Sequence, residues 1–312
     1  MKNATLIYNP VAGGLSRHRE RQVREAAAAL ATQGIAAKVV PTTGPNTAVE
    51  LARTAAAQGD ELVLVCGGDG TINEVINGLA QTPTTLGILP GGTANIFAKE
   101  LGLPHHPVRA ARELGQWVPR RIALGRAITE KNGGGPSAIR YFLSLAGVGF
   151  DAYIVNKLTW DFKRGWGVLA YVWEAIRQAL RYPYPPFVCR LNERELPATF
   201  AVVQRTTRYA GWLRLAPGAD IFAPRFEVCV FKSRNWLRYS FYAAAVVLRQ
   251  HHRLKDFEVV PAQRVECSPA TLGDRVYFEL DGELAGQLPA TFEIVPDALT
   301  VLVPSKMAKS RL

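Results

Sequence analysis

Short apolar runs alternate with longer mixed stretches through the first third of the chain. Residues 5–8 are apolar and end in Asn9-Pro10, the pattern of a strand closed by a turn. Residues 17–33 are Ala-rich and charged and stop at Gly34, which predicts a helix. A second strand over 36–40 and a second helix over 47–58, stopped by Gly59, follow. Residues 61–66 (ELVLVC) form a continuous apolar run, as in a strand buried on both faces. A helix over 71–79, a strand over 86–89 and a helix over 94–101 complete the series. This order predicts an α/β domain, a parallel sheet with helices on both faces.

After a turn at Leu103-Pro104 and a short helix over 108–117, strand patterns dominate. They fall at 122–128, 140–146, 188–191, 199–204, 226–231, 257–260, 276–280, 291–295 and 300–303, interrupted by helical stretches near 168–180 and 239–249. Residues 131–136 (KNGGGP) read as a hairpin tip. The expected organisation is an α/β domain over 1–120, a β-rich domain over 121–304 and a tail over 305–312.

Composition narrows the class. The chain has 312 residues, 48% of them hydrophobic and 20% charged, enough to bury a core and too apolar for disorder. A formal charge of +11 favours nucleic acid, an anionic membrane surface or a phosphorylated ligand. Cys66, Cys189, Cys229 and Cys267 lie far apart with no CxxC pair, which argues against a disulfide framework or a zinc site and fits a reducing cytoplasm. The longest apolar run, residues 241–248, is far short of the roughly 20 residues a membrane span needs. The chain is expected to be soluble or peripherally membrane-bound.

Candidate chemistry sits in the loops after the strands. Gly67-Gly68-Asp69-Gly70-Thr71 follows the most buried strand and opens a helix. Glycines there let backbone N–H groups approach a phosphate, and the helix N-terminus adds partial positive charge. Thr71 can cap that helix or meet a phosphate. Asp69 would repel phosphate unless it faces a metal ion or a hydroxyl, which suggests magnesium. The same loop could equally be an ordinary strand-to-helix turn. Leu89-Pro90-Gly91-Gly92-Thr93-Ala94-Asn95 and Asn9-Pro10-Val11-Ala12-Gly13-Gly14 also follow strands. Polar loops after three parallel strands share one sheet edge, where ligands of open α/β sheets bind. The chain has neither a GxxxxGK[ST] loop nor a GxGxxG fingerprint.

Taken together, NPVAGG, GGDGTINEVINGL (67–79), LGILPGGTANIFAKELGLP (86–104), YFLSLAGVGFDA (141–152) and DGE (281–283) resemble the diacylglycerol kinase catalytic-domain family. That family includes bacterial lipid kinases and eukaryotic diacylglycerol, sphingosine and ceramide kinases. The resemblance covers nearly the whole chain. It implies an NAD kinase/diacylglycerol kinase-like architecture: the α/β nucleotide domain, a C-terminal β-sandwich-like domain, and an active site in the cleft between them. It implies transfer of the γ-phosphoryl group of ATP, with Mg²⁺, to a lipid hydroxyl. Carried over by motif, the nucleotide contacts are Asn9, Thr42, Gly67, Gly68, Asp69, Gly70, Thr71, Ile72, Asn73, Gly92 and Thr93. Asp69 would help place ATP and metal, and Glu283 looks like the general base. Without the resemblance, Asp281-Gly282 reads as a hairpin turn. Three positions depart from the family pattern: Ile96 and Ala123 stand where many bacterial members have Asp, and 220–224 reads Asp-Ile-Phe-Ala-Pro in place of an Asp-Asp-Gly stretch. These departures bear on the secondary metal network and on the identity of the lipid acceptor.

Residues 160–166 and 234–239 mix aromatics with bases, which suits an anionic bilayer or a core-packed helix with solvated flanks. The adjacent pairs His105-His106 and His251-His252 point apart and do not make a shared metal site. No nucleic-acid motif accompanies the charge. A homodimer is plausible by family analogy. Two other readings stay open: a soluble small-molecule kinase of the NAD kinase type, and a catalytically weak, nucleotide-dependent regulatory protein at a membrane.

Overall fold

In the computed structural model, which describes residues 3–12, 16–131, 135–157, 182–209, 213–271 and 273–309, the first apolar run forms β1 (Ala4–Tyr8). It pairs in parallel with β2 (Ala37–Pro41) on one side and β3 (Leu62–Gly67) on the other, and β3 pairs in parallel with β4 (Thr85–Pro90). Every residue of β3 and β4 is buried, so both faces of these strands are covered, as their unbroken apolar sequence requires. Helix α1 (Ser16–Ala31) packs against α5 (Pro107–Glu113), and α2 (Thr47–Ala57) against α3 (Asp69–Leu79); α4 (Ile96–Glu100) is a single short turn after β4. Val23, Ala26 and Leu30 form the core stripe of α1 at helical spacing.

Residues 1–124 and 295–312 make one compact unit, and residues 125–294 a second. β5 (Trp117–Lys131) and the last strand, β18 (Ala290–Pro304), each begin in one unit and end in the other. Thr300 and Val301 of β18 lie parallel to Thr85 and Leu86, so the C-terminal part of that strand extends the first sheet. The short helix α8 (Ser305–Lys309) follows it.

The second unit is antiparallel. One sheet runs β14 (Phe257–Ala262), β13 (Phe226–Phe231), β10 (Phe200–Gln204), β7 (Leu145–Gly149), β16 (Tyr277–Leu280), β17 (Glu283–Gln287). The other strands are β6 (Gly135–Phe142) beside β5, and β9 (Arg194–Ala198), β8 (Phe187–Leu191) and β15 (Arg264–Pro269) leading to the start of β18. A core of Phe142, Phe187, Phe226, Phe278 and Phe292 joins the two layers, with Phe142 and Phe226 stacked at 5.7 Å between centroids. This is a β-sandwich-like unit. The outer face of the six-stranded sheet is covered as well. Phe200, Val202, Cys229 and Phe231 pack there with Tyr182, Tyr184 and helix α7 (Trp236–Val247). β11 (Arg208–Tyr209) and β12 (Leu213–Arg214) form a small separate ladder, and α6 (Phe150–Lys157) follows β7.

The structure departs from the sequence expectations in specific places. The helix expected from residue 71 begins at Asp69, two residues earlier. The strand expected over 140–146 is two strands, because the Asp281 carboxylate takes the N–H groups of Leu143, Ser144 and Leu145 between them. The strands expected at 291–295 and 300–303 are one strand, and β9, β15 and α6 were not anticipated. Part of the expected hairpin tip at 131–136, the expected helix near 168–180 and the aromatic-basic stretch at 160–166 lie outside the described residues.

Helix α7 is fixed at its start by Asn235, whose side chain accepts the Leu237 N–H at 2.9 Å. Arg238 then makes a two-pronged bond to Asp256, Nε to Oδ2 at 2.7 Å and Nη2 to Oδ1 at 2.5 Å, and Tyr242 donates to the same carboxylate at 2.6 Å. The Arg238 bond leads in holding the Asp256 carboxyl down at about 2, from an ordinary 3.8. A depressed carboxyl contributes stability above its unfolded pKa and loses it as pH falls through the folded one. The stability advantage of wild type over Asp256→Asn should therefore be full at pH 7 and shrink as pH drops from about 4 toward 2. Thermal melts of both proteins across that range check it, and an advantage independent of pH would contradict it.

Candidate active site

The strand register places four loops at one edge of the parallel sheet. Tyr8 lies beside both Pro41 and Cys66, and Gly67 lies beside Pro90. Asn9, Thr42, Gly68 and Gly91 are therefore the next residues at the carboxyl ends of β1, β2, β3 and β4. The sheet order reverses at β1, so this edge is also the topological switch point.

Loop contacts knit that edge together. Asn9 donates from its side-chain amide to Thr71 Oγ1 at 3.2 Å, while its Oδ1 accepts the Val11 N–H at 3.0 Å. The Thr42 N–H donates to the Tyr8 carbonyl at 2.8 Å. The Gly91 N–H donates to the Gly67 carbonyl at 2.9 Å. Gly68 and Gly92 pass so close that a methyl group on Gly92 would lie 2.4 Å from Gly68 Cα. The two backbones can approach this closely because residue 92 carries no side chain.

Helix α3 opens toward the same edge. Its first ladder bond is Ile72 N–H to the Gly68 carbonyl at 3.0 Å, so the amides of Asp69, Gly70 and Thr71 precede the ladder, and Gly68 has no side chain to cap them. Thr71 is thus in the first turn and not the cap. Ile72 is buried in the core and its N–H is already bonded. Asn73 is also buried, with Asn77 donating to its Oδ1 at 3.2 Å. Thr93 is exposed on its loop. Asp69 Oδ1 accepts the Ile96 N–H at 2.8 Å, which closes the first turn of α4. The second glycine loop therefore does not repeat the first: its helix start is capped by the carboxylate of its neighbour.

Two residues of this edge escaped the sequence reading. Asn95 is buried, sits at φ 46°, and makes a reciprocal pair with Gly92: its Oδ1 accepts the Gly92 N–H at 3.0 Å and its amide donates to the Gly92 carbonyl at 2.7 Å. Arg19 is 7% exposed and heads the core stripe of α1. Its guanidinium donates to the Ala12 carbonyl at 2.9 Å and to the Gly91 carbonyl, tying the loop after β1 to the loop after β4, and it meets no carboxylate among the described residues. The signal was available: an arginine at the first position of an apolar i, i+4, i+7, i+11 stripe is out of place unless something at the helix start needs its charge.

The DGE segment lies in the second unit. Asp281 and Gly282 form a two-residue hairpin turn with φ of 50° and 89°, both in the left-handed region, as a type I′ turn demands. Asp281 locks the turn to residues 143–145 through bonds of 2.7, 2.8 and 3.0 Å. Glu279 Oε2 accepts the Gly282 N–H at 2.5 Å. Glu279 is buried, and burial first, then the charge of Asp151, pushes its carboxyl well above the usual range. The two carboxyls fill the space beside Gly147, where a side chain would meet Asp151 Oδ2 and Glu279 Oε1 at 2.7 Å each. Glu283 follows the turn, about 42% exposed at its side chain, with Arg140 at 3.5 Å. Fully buried Arg205 donates to the carbonyls of Leu143 and Ile221. Burial pulls its guanidinium down to about 10 against the opposing pull of Asp281 and Asp220. The stretch 220–224 is a turn in which Asp220 accepts the Phe222 N–H at 3.0 Å.

Burial raises the Cys66 thiol to about 11, so it is a packing residue at the end of β3 and not a nucleophile. All four cysteines are buried free thiols, and Cys189 faces Cys267 at 3.6 Å.

A parallel-sheet unit with glycine loops at its switch point, joined to an antiparallel sandwich-like unit, defines the fold class of diacylglycerol and NAD kinases. The comparisons agree. Residues 3–127 match the diacylglycerol kinase catalytic domain, and residues 144–303 match the YegS C-terminal NAD kinase beta sandwich-like domain. Diacylglycerol kinase of Bacillus subtilis is 29% identical, over 99% of both chains, and that of Mycobacterium tuberculosis 30% identical, over 96% of this chain and 94% of its own. A diacylglycerol kinase structure from Bacillus anthracis superposes with a TM-score of 0.70 at 19% identity, covering 98% of each chain. Yeast NADH kinase superposes at 0.51 and 11%, over 96% of this chain and 84% of its own. The chain belongs to the diacylglycerol kinase family and is, by class, a phosphotransferase.

Proposed function

We propose that the protein is an ATP-dependent lipid kinase, moving the γ-phosphoryl group of ATP to a hydroxyl of diacylglycerol or a related glycerolipid or sphingolipid. The observation that best supports this reading is the glycine-to-glycine contact of Gly68 and Gly92 beside the open first turn of α3, on an edge otherwise lined by Asn9, Thr42, Thr71 and Thr93. Such an edge offers amides and hydroxyls to phosphate oxygens without a bulky side chain in the way. Magnesium would enter with ATP. Asp69 is a single carboxylate beside a phosphate edge, a donor set that fits an ion held mainly by phosphates and water. That ion would neutralise charge developing on the transferred group.

The residues then have distinct tasks. The amides of Gly70 and Thr71 and the hydroxyls of Thr42, Thr71 and Thr93 hold phosphates. Asn95 and Arg19 keep the loops in register. Glu283 takes the proton of the acceptor hydroxyl as the oxygen–phosphorus bond forms and the bond to ADP breaks. The hydrogen bonds of Asp281 and Glu279 keep the turn rigid, so the carboxylate of Glu283 starts from a fixed backbone.

A second reading follows from the fold shared with NADH kinase: a soluble dinucleotide as acceptor. Both are tested by incubating the protein with γ-labelled MgATP, a mixed lipid extract and NAD in one vessel. Label in the organic phase is the expected result. Label in the dinucleotide alone would replace the lipid reading.

A further inference from the structure

Helix α7 is apolar on both sides. Its inward face, Tyr239, Tyr242, Ala245 and Val246, is buried against Phe231 and Phe257. A surface helix of this kind should turn polar residues outward. Instead Leu237 and Phe241 are 59% and 54% exposed, and Val247 and Leu248, with Trp236 at the helix start, are exposed beside them. Leu237, Phe241, Ala244 and Leu248 are spaced i, i+4, i+7 and i+11, so they form one stripe. Half of the exposed large hydrophobic side chains among the described residues belong to this one segment.

Bases frame the stripe. Arg234 precedes the helix, and Arg249, Arg253 and Lys255 follow it; all are exposed, and none of the four makes an ion pair among the described residues. Residues 234–255 contain no acidic side chain. Arg238, by contrast, is held by Asp256 and lies 5.0 Å from the centre of the Phe241 ring, so it anchors the helix and does not add to the free charge.

We propose that the outer face of α7 is a membrane-docking surface for an anionic lipid bilayer. Trp236, Leu237, Phe241, Val247 and Leu248 enter the interface, and Arg234, Arg249, Arg253 and Lys255 meet acidic headgroups. An amphipathic helix with aromatic and aliphatic residues on one side and free bases at its margins binds this way. A second copy of the chain fits less well. A two-fold contact through this face would set the same unpaired bases against themselves. The inference names the surface through which the proposed lipid kinase would reach its acceptor, but docking itself needs no turnover.

The test is co-sedimentation of the full chain with vesicles that hold no lipid hydroxyl, either phosphatidylcholine alone or phosphatidylcholine with phosphatidylserine. Wild type should partition to the anionic vesicles and be released by high salt. Leu237→Glu/Phe241→Glu should lower partitioning at least tenfold, and Arg249→Glu/Arg253→Glu should lower it on anionic vesicles. Val39→Glu, at an exposed apolar site elsewhere, should change nothing. Melting curves confirm that each variant is folded, and Phe241→Ser serves if the double glutamate is not. Wild type failing to bind, or the α7 variants binding like wild type, overturns the proposal. So does a dimer that Phe241→Ser dissociates with no change in vesicle binding. Anionic binding by a protein that phosphorylates no lipid would sink the kinase reading and leave this surface standing.

Discussion

Glu283→Gln should lower the phosphoryl-transfer rate by about 10²- to 10⁴-fold while leaving MgATP binding intact. Glutamine keeps the size of the side chain and cannot take a proton. The partner Arg140 is 3.5 Å away and both side chains are well exposed, so the ion pair stabilises little and the melting temperature should hardly move. A large effect on turnover with almost none on stability is the signature of a base. Asp281→Asn should behave differently. It weakens three backbone hydrogen bonds that set the turn, so it should cost stability together with activity. Turnover and calorimetric ATP binding of the two variants separate the roles. Unchanged turnover in Glu283→Gln would assign the proton to another group.

The second large effect is steric. Gly92→Ala places a methyl group 2.4 Å from Gly68 Cα, a main-chain atom that cannot swing aside, so the two loops must part. Displacing a reacting group by about 1 Å typically costs about 10²-fold in rate, and the same movement weakens phosphate binding. Gly68→Ala puts its methyl group 3.4 Å from Gly92 Cα and should be milder. Gly44→Ala meets nothing within 4 Å and should match wild type. The order Gly92, Gly68, Gly44 in loss of ATP affinity and kcat/KM is the expected result. Equal effects at all three would mean the glycine contact does not shape the phosphate edge.

The convergence of the glycine loops on one sheet edge was legible because parallel strands send their carboxyl ends the same way, so loops distant in sequence must meet. The run at Leu62–Gly67 announced itself by continuous apolar character. What the sequence hid depends on partners brought from afar. Asp281 splits the segment around Leu143 into two strands from 136 to 138 residues away. β9 and β15 are charged, half-exposed strands whose identity comes from their neighbours in the sheet. The C-terminal strand spans Pro296-Asp297 because partner strands distant in sequence, β15 and β4, pair with its two ends. Arg19 and Asn95 were missed for a related reason. Their importance lies in carbonyls and amides of other loops, and an isolated residue in a helix or after a Gly-Gly-Thr does not display its acceptors. Asp69 carried a suspected role in metal binding, and the structure adds a second one, the bond to Ile96 N–H that ties the first glycine loop to the second.

The most direct measurement is the appearance of γ-phosphoryl label in extracted lipid when the purified protein is given MgATP and phosphatidylglycerol vesicles containing diacylglycerol. Label should enter the organic phase with wild type, fall at least a hundredfold with Glu283→Gln and with Gly92→Ala, and need the γ-position of ATP. No labelled lipid from wild type, across diacylglycerol and sphingolipid acceptors and with ATP bound, would contradict a lipid kinase.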